Sequence, residues 1–340
     1  MKVGVLENVM CDVPFEEALD FFRSSGIEMV EIGCGGTPGI EHCDPEVLLR
    51  DEGKLRKFRR AIETAGLGIS ALSAHGNPVH PVKYVAGKYD AVLRNAVFLA
   101  EKLGVDTICT FSGTPGAHDG DVCPNWVTSV WPYDGVAILD YQWRQKLIPY
   151  WRNFGRFAAA HGVTKIAFEM HPGFCVSNPE TLLRLRENCG EFIGANFDPS
   201  HLIWHGIDCP SAIHALAGCI FHFHAKDTLV DWEEMGRNGF FDPSAVFEGT
   251  GRPFRFKIPP CGTGELYWRR MVAALRESGY DGVLSIEHED DAVGQREGIR
   301  RSADFLHSIL YVEPAARCSW KEAIRNYQRE FLPDREEESR

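Results

Sequence analysis

The stretch IGANFDPSHLIWHGIDCPSAIHALAGCIFHFHAKD, residues 193–227, decides the fold because it contains one complete strand–helix–strand unit. Apolar and β-branched residues at its two ends are typical of buried strands, and Cys209–Leu216 between them has a helical pattern. A crossover of this kind joins two parallel strands. We therefore use this unit as the template for the rest of the chain.

The same alternation repeats along the chain. It predicts eight strands, at residues 3–7, 29–33, 69–75, 107–113, 166–171, 193–198, 220–227 and 283–289. The helical stretches between them often end in a glycine that suits a left-handed C-cap, as at Gly66 and Gly104. Closed barrels of eight such units typically take about 250 residues and tolerate insertions. The eight repeats therefore predict an α/β fold, a (β/α)8 TIM barrel, and the length of 340 residues is sufficient for one with insertions.

Two predicted connections are longer than the roughly 2–6 residues usual for strand-to-helix loops. Residues 113–135 follow strand 4 and contain Trp126 and Trp131, and residues 228–263 follow strand 7. Because such loops lie at the active-site face of a barrel, we expect walls or a lid, although a cover or an oligomer interface fits equally. The barrel domain is predicted to span 1–312 and a C-terminal helical extension 313–340.

The composition favours a globular enzyme of small substrates. A net charge of −12, with 44% hydrophobic and 25% charged residues, excludes disorder and disfavours nucleic acid as a partner. The sequence has neither a signal-like start nor a membrane-length apolar run, so we expect a cytoplasmic protein without a membrane partner. The 11 cysteines are scattered without a C-x-x-C pair, so any metal must be held by histidine and carboxylates.

The strongest chemical signal lies at four strand ends. Strands 5 to 8 end at Glu169, Asp198, His224 and Glu287, which a parallel barrel brings to one mouth. Three carboxylates at one place repel each other, and a bound cation removes that cost. Any one of these residues alone would be explained by an ordinary ion pair. Together they predict one divalent metal, with Mn²⁺ preferred for this oxygen-rich set and Mg²⁺ or Co²⁺ as alternatives.

Four motifs, FEMHPG, NFDPSH, FHFHAKD and LSIEHED, resemble those of the xylose-isomerase-like sugar isomerase/epimerase superfamily, which includes ketose 3-epimerases, inosose dehydratase and endonuclease IV. The resemblance covers nearly the whole barrel and implies the same four metal ligands. It further implies that Glu169 and Glu287 are paired proton-transfer carboxylates, and that His201 binds a substrate oxygen or joins the metal. Lys226 would neutralise oxyanion charge, and Asp227 would position that lysine.

Other polar and aromatic residues near the strand ends carry weaker signals. His171 is a reserve acid or base if strand 5 continues through it. His75 either contacts a substrate hydroxyl or is hydrogen-bonded structurally. Glu7 either binds a hydroxyl or pairs with a cation. Trp126 and Trp131 would stack on a pyranose ring or serve only in packing.

These observations predict a divalent-metal-dependent isomerase or epimerase of a sugar, keto-sugar or cyclitol, acting by proton abstraction next to a carbonyl. The alternative is a lyase or dehydratase that uses the same groups for β-elimination on an inosose or a 3-oxo-glycoside, including C-glycoside cleavage. We expect a carbohydrate substrate and a homo-oligomer, and C-glycoside-cleaving relatives leave a small accessory subunit open. The sequence contains no nucleotide-binding fingerprint in the proper context, so neither NAD nor ATP is implied. An endonuclease is disfavoured because HAKDT after strand 7 lacks the Asp-x-His of a three-metal cluster.

Overall fold

A computed structural model describes residues 1–129, 131–241, 253–313 and 319–331. Eight parallel strands close into a barrel, and the last of them pairs with the first. The barrel strands are β1 (Lys2–Leu6), β2 (Met29–Gly36), β3 (Gly68–His75), β4 (Thr107–Thr110), β5 (Lys165–Glu169), β6 (Ile193–Phe197), β7 (Ile220–Ala225) and β10 (Val283–Ile286), while β8 (Asp227–Val230) and β9 (Phe254–Lys257) form a separate hairpin. The predicted (β/α)8 barrel is confirmed.

Helices surround the strands and bury the outer face of the sheet. In the described residues of the barrel unit, Met1–Leu310, they are α1 (Phe15–Ser24), α2 (Pro45–Arg50), α3 (Glu52–Ala65), α4 (Lys83–Leu103), α5 (Asp134–Tyr141), α6 (Ile148–Ala160), α7 (Pro179–Cys189), α8 (Pro199–Trp204), α9 (Cys209–Ala215), α10 (Trp232–Asn238), α11 (Glu265–Glu277) and α12 (Gln295–Ile309). A second compact unit, Tyr311–Arg340, contains the helix α13 (Ser319–Phe331) in its described residues. A π-helical turn, Gln142–Leu147, joins α5 to α6. Gly66 and Gly104 end α3 and α4 at φ 71° and 74°, a conformation that L-residues with side chains rarely adopt.

The interior of the barrel is unusually polar. Successive side chains of a strand point to opposite faces, so every second residue points inward. A layer of small residues, Ala71, Cys109 and Ala167, forms a buried cluster of its own. Two residues after Ala71 and Ala167, the inward positions of β3 and β5 carry Ser73 and Glu169, which are polar and buried. This alternation places the chemistry at the C-terminal end of the barrel.

The insertion after strand 7 begins as a hairpin. The predicted strand 220–227 is interrupted at Lys226, and Asp227 starts β8, which pairs antiparallel with β9. The carboxylate of Asp227 accepts hydrogen bonds from the backbone N–H groups of Gly262 and Thr263, at 2.9 and 3.1 Å. These bonds tie the start of the hairpin to the loop before α11. Residues 242–252 of the predicted insertion lie outside the described residues.

The buried side-chain amide of Gln142 forms hydrogen bonds to the backbone of the insertion after strand 4. Nε2 of Gln142 donates to the carbonyl oxygens of Pro115, Gly116 and Asn125, at 3.2, 3.2 and 2.6 Å. Residue 130 lies outside the described part of this insertion, as do 314–318 and 332–340 of the predicted C-terminal extension. Among the helices that the structure describes, none combines the length and apolar character needed to cross a membrane.

Candidate active site

A cavity of about 670 Å³ opens where the barrel strands end. Such a position is where the active sites of these barrels lie. One part of its lining is charged or polar, and another is aromatic. The polar lining includes His75, Glu169, His171, His201, His224, Lys226, Glu287 and Glu289, and the aromatic lining includes Phe111, Trp204, Phe240, Phe254 and Phe256.

The four residues predicted as metal ligands come together at the floor of this cavity. Glu169, Asp198 and His224 place one donor atom each within 4.8 Å of one another, and all three are almost wholly buried. Oε2 of Glu287 lies 2.8 Å from Nδ1 of His224. The barrel therefore brings together residues that are far apart in the sequence, as their positions at the strand ends predict.

His201 fixes the orientation of two of these carboxylates. Its Nε2 lies 3.0 Å from Oε1 of Glu169 and 3.3 Å from Oδ2 of Asp198. The other oxygen of Glu169 lies 3.0 Å from Nε2 of His75. Burial alone would raise the pKa of Glu169, but the hydrogen bonds to His201 and His75 hold it well below its ordinary value. Asp198 also caps α8, because its Oδ1 accepts from the backbone N–H of Ser200 at 2.8 Å while its Oδ2 faces His201 and Lys226.

Lys226 is a fully buried cation among these carboxylates. Its Nζ lies 2.8 Å from Glu287, 2.9 Å from Glu289 and 3.1 Å from Asp198. Burial would lower the pKa of Lys226, but the charges of Asp198 and Glu287 raise it well above its ordinary value. One ammonium group does not neutralise the three carboxylates of the candidate metal ligands. The surplus negative charge on buried oxygen donors, with one imidazole, suits a divalent cation.

Glu31 lies directly beneath the floor and was not among the residues predicted from the sequence. Nε2 of His224 lies 3.0 and 3.1 Å from its two oxygens. Ser285 donates to it at 2.7 Å, and Ser73 donates to its other oxygen. Burial alone would raise the pKa of Glu31, but the charges of His224 and His222 lower it to about 2. The one signal in the sequence is a carboxylate between apolar neighbours of a buried strand.

His171 lines the cavity from the loop after β5 and not from a continued strand. Its Nδ1 lies 2.6 Å from the carbonyl oxygen of Pro172, so Nδ1–H donates and Nε2 is left as an acceptor. Burial, together with the charge of His201, lowers the pKa of His171 to about 3. The His171 ring therefore stays neutral at ordinary pH, with its centroid 4.0 Å from that of His201.

Two predicted substrate contacts have structural partners instead. Glu7 accepts from the backbone N–H of Gly33 at 2.9 Å and lies 2.7 Å from Nδ1 of His42, so it pairs with a histidine and not with a bound hydroxyl. Asp227 does not contact Lys226 through its carboxylate, because β8 turns it toward the loop before α11. Within the described residues, neither Glu7 nor Asp227 lines the cavity.

The two tryptophans of the strand 4 insertion are not brought to the floor. Trp126 packs against the rings of His205 and Phe241, at 6.3 and 5.5 Å between centroids. Trp131 is 69% exposed and contacts Tyr133 edge to face. In the part of the chain that the structure describes, neither indole lines the cavity.

A row of other aromatic rings leads outward from the floor. Nζ of Lys226 lies 4.8 Å from the ring centroid of Phe256, and the ring of His201 lies 5.3 Å from it. Phe254 follows at 5.5 Å, and Trp204 stacks on Phe254 at 4.5 Å with only 2° between the ring planes. These side chains from β9 and α8 give the cavity an apolar wall beside its polar floor.

Comparison with known protein families identifies the family to which the chain belongs. Residues 19–309 match the family model described as xylose isomerase-like TIM barrel. The uncharacterized protein YfiH of Bacillus subtilis is 34% identical over 312 residues, covering 91% of this chain and 99% of the relative. The chain therefore belongs to the xylose isomerase-like TIM barrel family. An inosose dehydratase of Clostridium perfringens is 26% identical over 161 residues, which cover 47% of this chain and 52% of that enzyme.

Solved structures of other proteins share the barrel fold of this chain. The IolI protein with a bound zinc atom gives a TM-score of 0.64 at 17% identity and covers 91% of this chain and 98% of its own. An L-ribulose 3-epimerase gives a TM-score of 0.58 at 18% identity, with 98% of both chains covered. At these identities the likeness shows the fold alone.

Proposed function

We propose that this protein is a divalent-metal-dependent isomerase or epimerase that moves a proton on the carbon next to a carbonyl group of a sugar, keto-sugar or cyclitol. The observation that carries the proposal is the convergence of Glu169, Asp198 and His224, with donor atoms within 4.8 Å of one another at the floor of a cavity. A structural ion pair does not require three ligand groups of this kind around one point.

The residues of the floor have distinct tasks in this proposal. A divalent ion held by Glu169, Asp198, His224 and Glu287 would supply a Lewis acid that stabilises negative charge on a substrate oxygen. Glu169, whose pKa is held low and whose carboxylate is oriented by histidines, is available as the base. Glu287, whose Oε2 lies 2.8 Å from Nδ1 of His224, is the second proton carrier. Lys226 stays cationic, because its pKa is raised, and favours an anionic substrate oxygen.

The identity of the ion is part of the proposal. Mn²⁺ is the first ion to test, followed by Mg²⁺ and Co²⁺, because three carboxylates and one imidazole form an oxygen-rich ligand set. Zn²⁺ joins the panel because IolI, a protein of the same fold, holds zinc.

The apolar wall favours elimination as a second candidate. An enzyme that abstracts the same proton becomes a dehydratase or lyase when a leaving group stands on the β-carbon. The rings of Phe256, Phe254 and Trp204 extend beyond the polar floor, and a cavity of about 670 Å³ is in the range for ligands larger than one small sugar. The inosose dehydratase relative supports elimination from an inosose, and the wall supports a 3-oxo-glycoside.

Solvent deuterium exchange tests both candidates. The protein, stripped of metal and reloaded with each ion, is incubated in D₂O with ketoses, inososes and 3-oxo-glycosides, and the products are analysed by mass. Isomerisation retains the substrate skeleton with deuterium incorporated, whereas elimination releases water or an aglycone. Glu169→Gln should lose exchange, while Glu46→Gln on the exposed surface of α2 should keep it. Wild-type protein that exchanges no substrate with any ion would refute the proposal.

The cytoplasmic location, the homo-oligomer and the small accessory subunit stay predictions from the sequence. They do not enter the chemistry proposed for the floor of the cavity. The Mn²⁺ preference is likewise decided only by the ion panel.

A further inference from the structure

We infer that Glu31 is a positioning residue that, together with Ser73 and Ser285, holds His224 with Nδ1 directed at the candidate metal ligands. The inference rests on the proposed metal site and assigns a task to a buried carboxylate that the proposed proton chemistry does not use. Glu31 comes from β2, three strands around the barrel from β7, which carries His224.

The two ring nitrogens of His224 face different groups. Nε2 lies 3.0 and 3.1 Å from the oxygens of Glu31, whereas Nδ1 lies 2.8 Å from Glu287 and 3.6 Å from Glu169. An ionised carboxylate only accepts hydrogen bonds, so Nε2 carries a hydrogen toward Glu31. The amide nitrogen of Asn196, 3.1 Å from Nε2, then contacts this nitrogen without donating to it. In the neutral imidazole this leaves the lone pair on Nδ1, on the side of the ligand carboxylates.

The hydroxyl groups of two further strands fix Glu31 itself. Ser285 of β10 donates to Oε2 at 2.7 Å, and Ser73 of β3 donates to Oε1. Glu31 is completely buried, and among the described residues these two hydroxyl groups and His224 are the partners that satisfy its carboxylate. The side chain is therefore held from three directions, and it transmits this constraint to the imidazole.

Glu31, His222 and His224 also place donor atoms within 4.8 Å of one another, which raises the possibility of a second metal site. The hydrogen bonds already present argue against it. Nδ1 of His222 lies 3.1 Å from Oδ1 of Asn196, and its Nε2 lies 3.1 Å from Oγ of Ser70. Both nitrogens of His222 are thus engaged, and Nε2 is 3.9 Å from Glu31. We therefore assign Glu31 to positioning and not to coordination.

Two substitutions separate charge from shape. Glu31→Gln keeps the size, and its amide oxygen can still accept the hydrogen of Nε2. The serine hydroxyl that faces the amide nitrogen can rotate to accept from it, while the other serine still donates to the amide oxygen. Glu31→Ala removes the acceptor entirely. Loss of a group that orients a metal-ligating histidine typically weakens metal binding about 10–100-fold. We expect roughly 10-fold weaker binding in Glu31→Gln and up to about 100-fold in Glu31→Ala.

The test uses the full chain and two measurements other than activity. The affinities for Mn²⁺, Co²⁺ and Zn²⁺ are titrated by calorimetry. In zinc-loaded protein, nitrogen-15 NMR should show a downfield Nε2–H signal that exchanges slowly with water and that disappears in His224→Gln. Glu31→Ala should lose the slow exchange of this signal even at saturating zinc, which a general loss of stability would not produce.

Glu7→Gln is the matched control. Glu7 is an equally buried carboxylate after the neighbouring strand β1, but its partners are Gly33 and His42 and it does not reach the metal ligands. We expect Glu7→Gln to lower thermal stability without changing metal affinity or the Nε2–H signal. If Glu31→Ala does not fold, Ser285→Ala takes its place, with an expected several-fold loss of affinity.

The outcomes distinguish this inference from the proposed function. Wild-type protein that binds no divalent ion would overturn the metal site and the proposed function with it. Wild-type protein that binds one ion while both Glu31 variants keep its affinity and the protected Nε2–H would overturn only the positioning role. Two bound ions per chain, one of them lost in His222→Gln, would make Glu31 a ligand and would also overturn the inference.

Discussion

Replacement of Lys226 by methionine should change stability and metal affinity in opposite directions. Methionine has a comparable length but no charge. In the metal-free protein the substitution leaves Asp198 and Glu287, which are 0% and 17% exposed, without their cation. Breaking a buried ion pair by removing one partner costs about 3–5 kcal/mol. Glu289 is 47% exposed, so water compensates for the loss of its contact.

This cost converts to a measurable fall in melting temperature. At about 2 °C per kcal/mol for a long chain, metal-free Lys226→Met should melt about 6–10 °C below the wild type. In the loaded protein the ammonium and the ion compete for the same two carboxylates. Removal of the ammonium should therefore tighten metal binding by about 10-fold or more, since two unit charges at 4 Å interact by about 4 kcal/mol near a protein surface.

The assay combines thermal melts with and without chelator and a calorimetric metal titration. Lys257→Met is the matched control, because Nζ of Lys257 pairs with Asp290 at 2.7 Å, is only 13% exposed and does not contact the metal ligands. This control should lower stability and leave metal affinity unchanged. An unchanged melting temperature in metal-free Lys226→Met, or weaker metal binding, would refute the reasoning about competing cations.

Three further outcomes are expected. Glu287→Gln should abolish both tight metal occupancy and deuterium exchange, measured on the same sample, and full exchange in this variant would remove Glu287 from the mechanism. Asp227→Ala should lower the urea-derived free energy of unfolding by about 2–3 kcal/mol without changing metal affinity, because it leaves the buried backbone N–H of Thr228 and the half-buried ones of Gly262 and Thr263 without an acceptor. Burial lowers the pKa of His222 to about 4 and that of His171 to about 3, from 6.5. Below pH 6.5 the unfolded chain therefore binds more protons than the folded one, and the free energy of unfolding decreases as the pH is lowered. His222→Gln should reduce this slope between pH 6 and pH 4.5 by up to about 1.4 kcal/mol per pH unit.

The convergence of the four candidate metal ligands could be predicted because their signal is local. Glu169, Asp198, His224 and Glu287 each stand at the end of an apolar strand, and parallel strands of a barrel end at one mouth whatever the partners of the individual side chains. The prediction therefore needed the strand ends and the closure of the sheet, and both follow from hydrophobic pattern. It did not need the side-chain contacts.

The contacts that the sequence leaves open depend on partners far away in the sequence. Glu7 has the same local signal as Glu169, a carboxylate at a strand end, but one of its oxygens is hydrogen-bonded to Nδ1 of His42. Asp227 turns away from Lys226 because the strand is interrupted between them and the next one belongs to a hairpin. Glu31 was missed because the contacts that make it important are made with Ser285, 254 residues away, and with His224, 193 residues away. No pattern within β2 indicates either contact.

The polar interior beneath the site is itself an argument for function. Barrels of this kind usually fill their interior with branched apolar side chains, and buried ionic groups are often less stabilising than well-packed apolar ones of similar volume. Here Glu31, His222 and His224 occupy the layer directly under the cavity and are completely or almost completely buried. The groups of this layer are satisfied in a way that leaves one imidazole nitrogen directed upward, but a satisfied ionic layer still stabilises a barrel less than apolar packing of the same volume. The folding cost of the layer is therefore connected to the site above it, and a chain that served only as a scaffold would have no need to bear that cost.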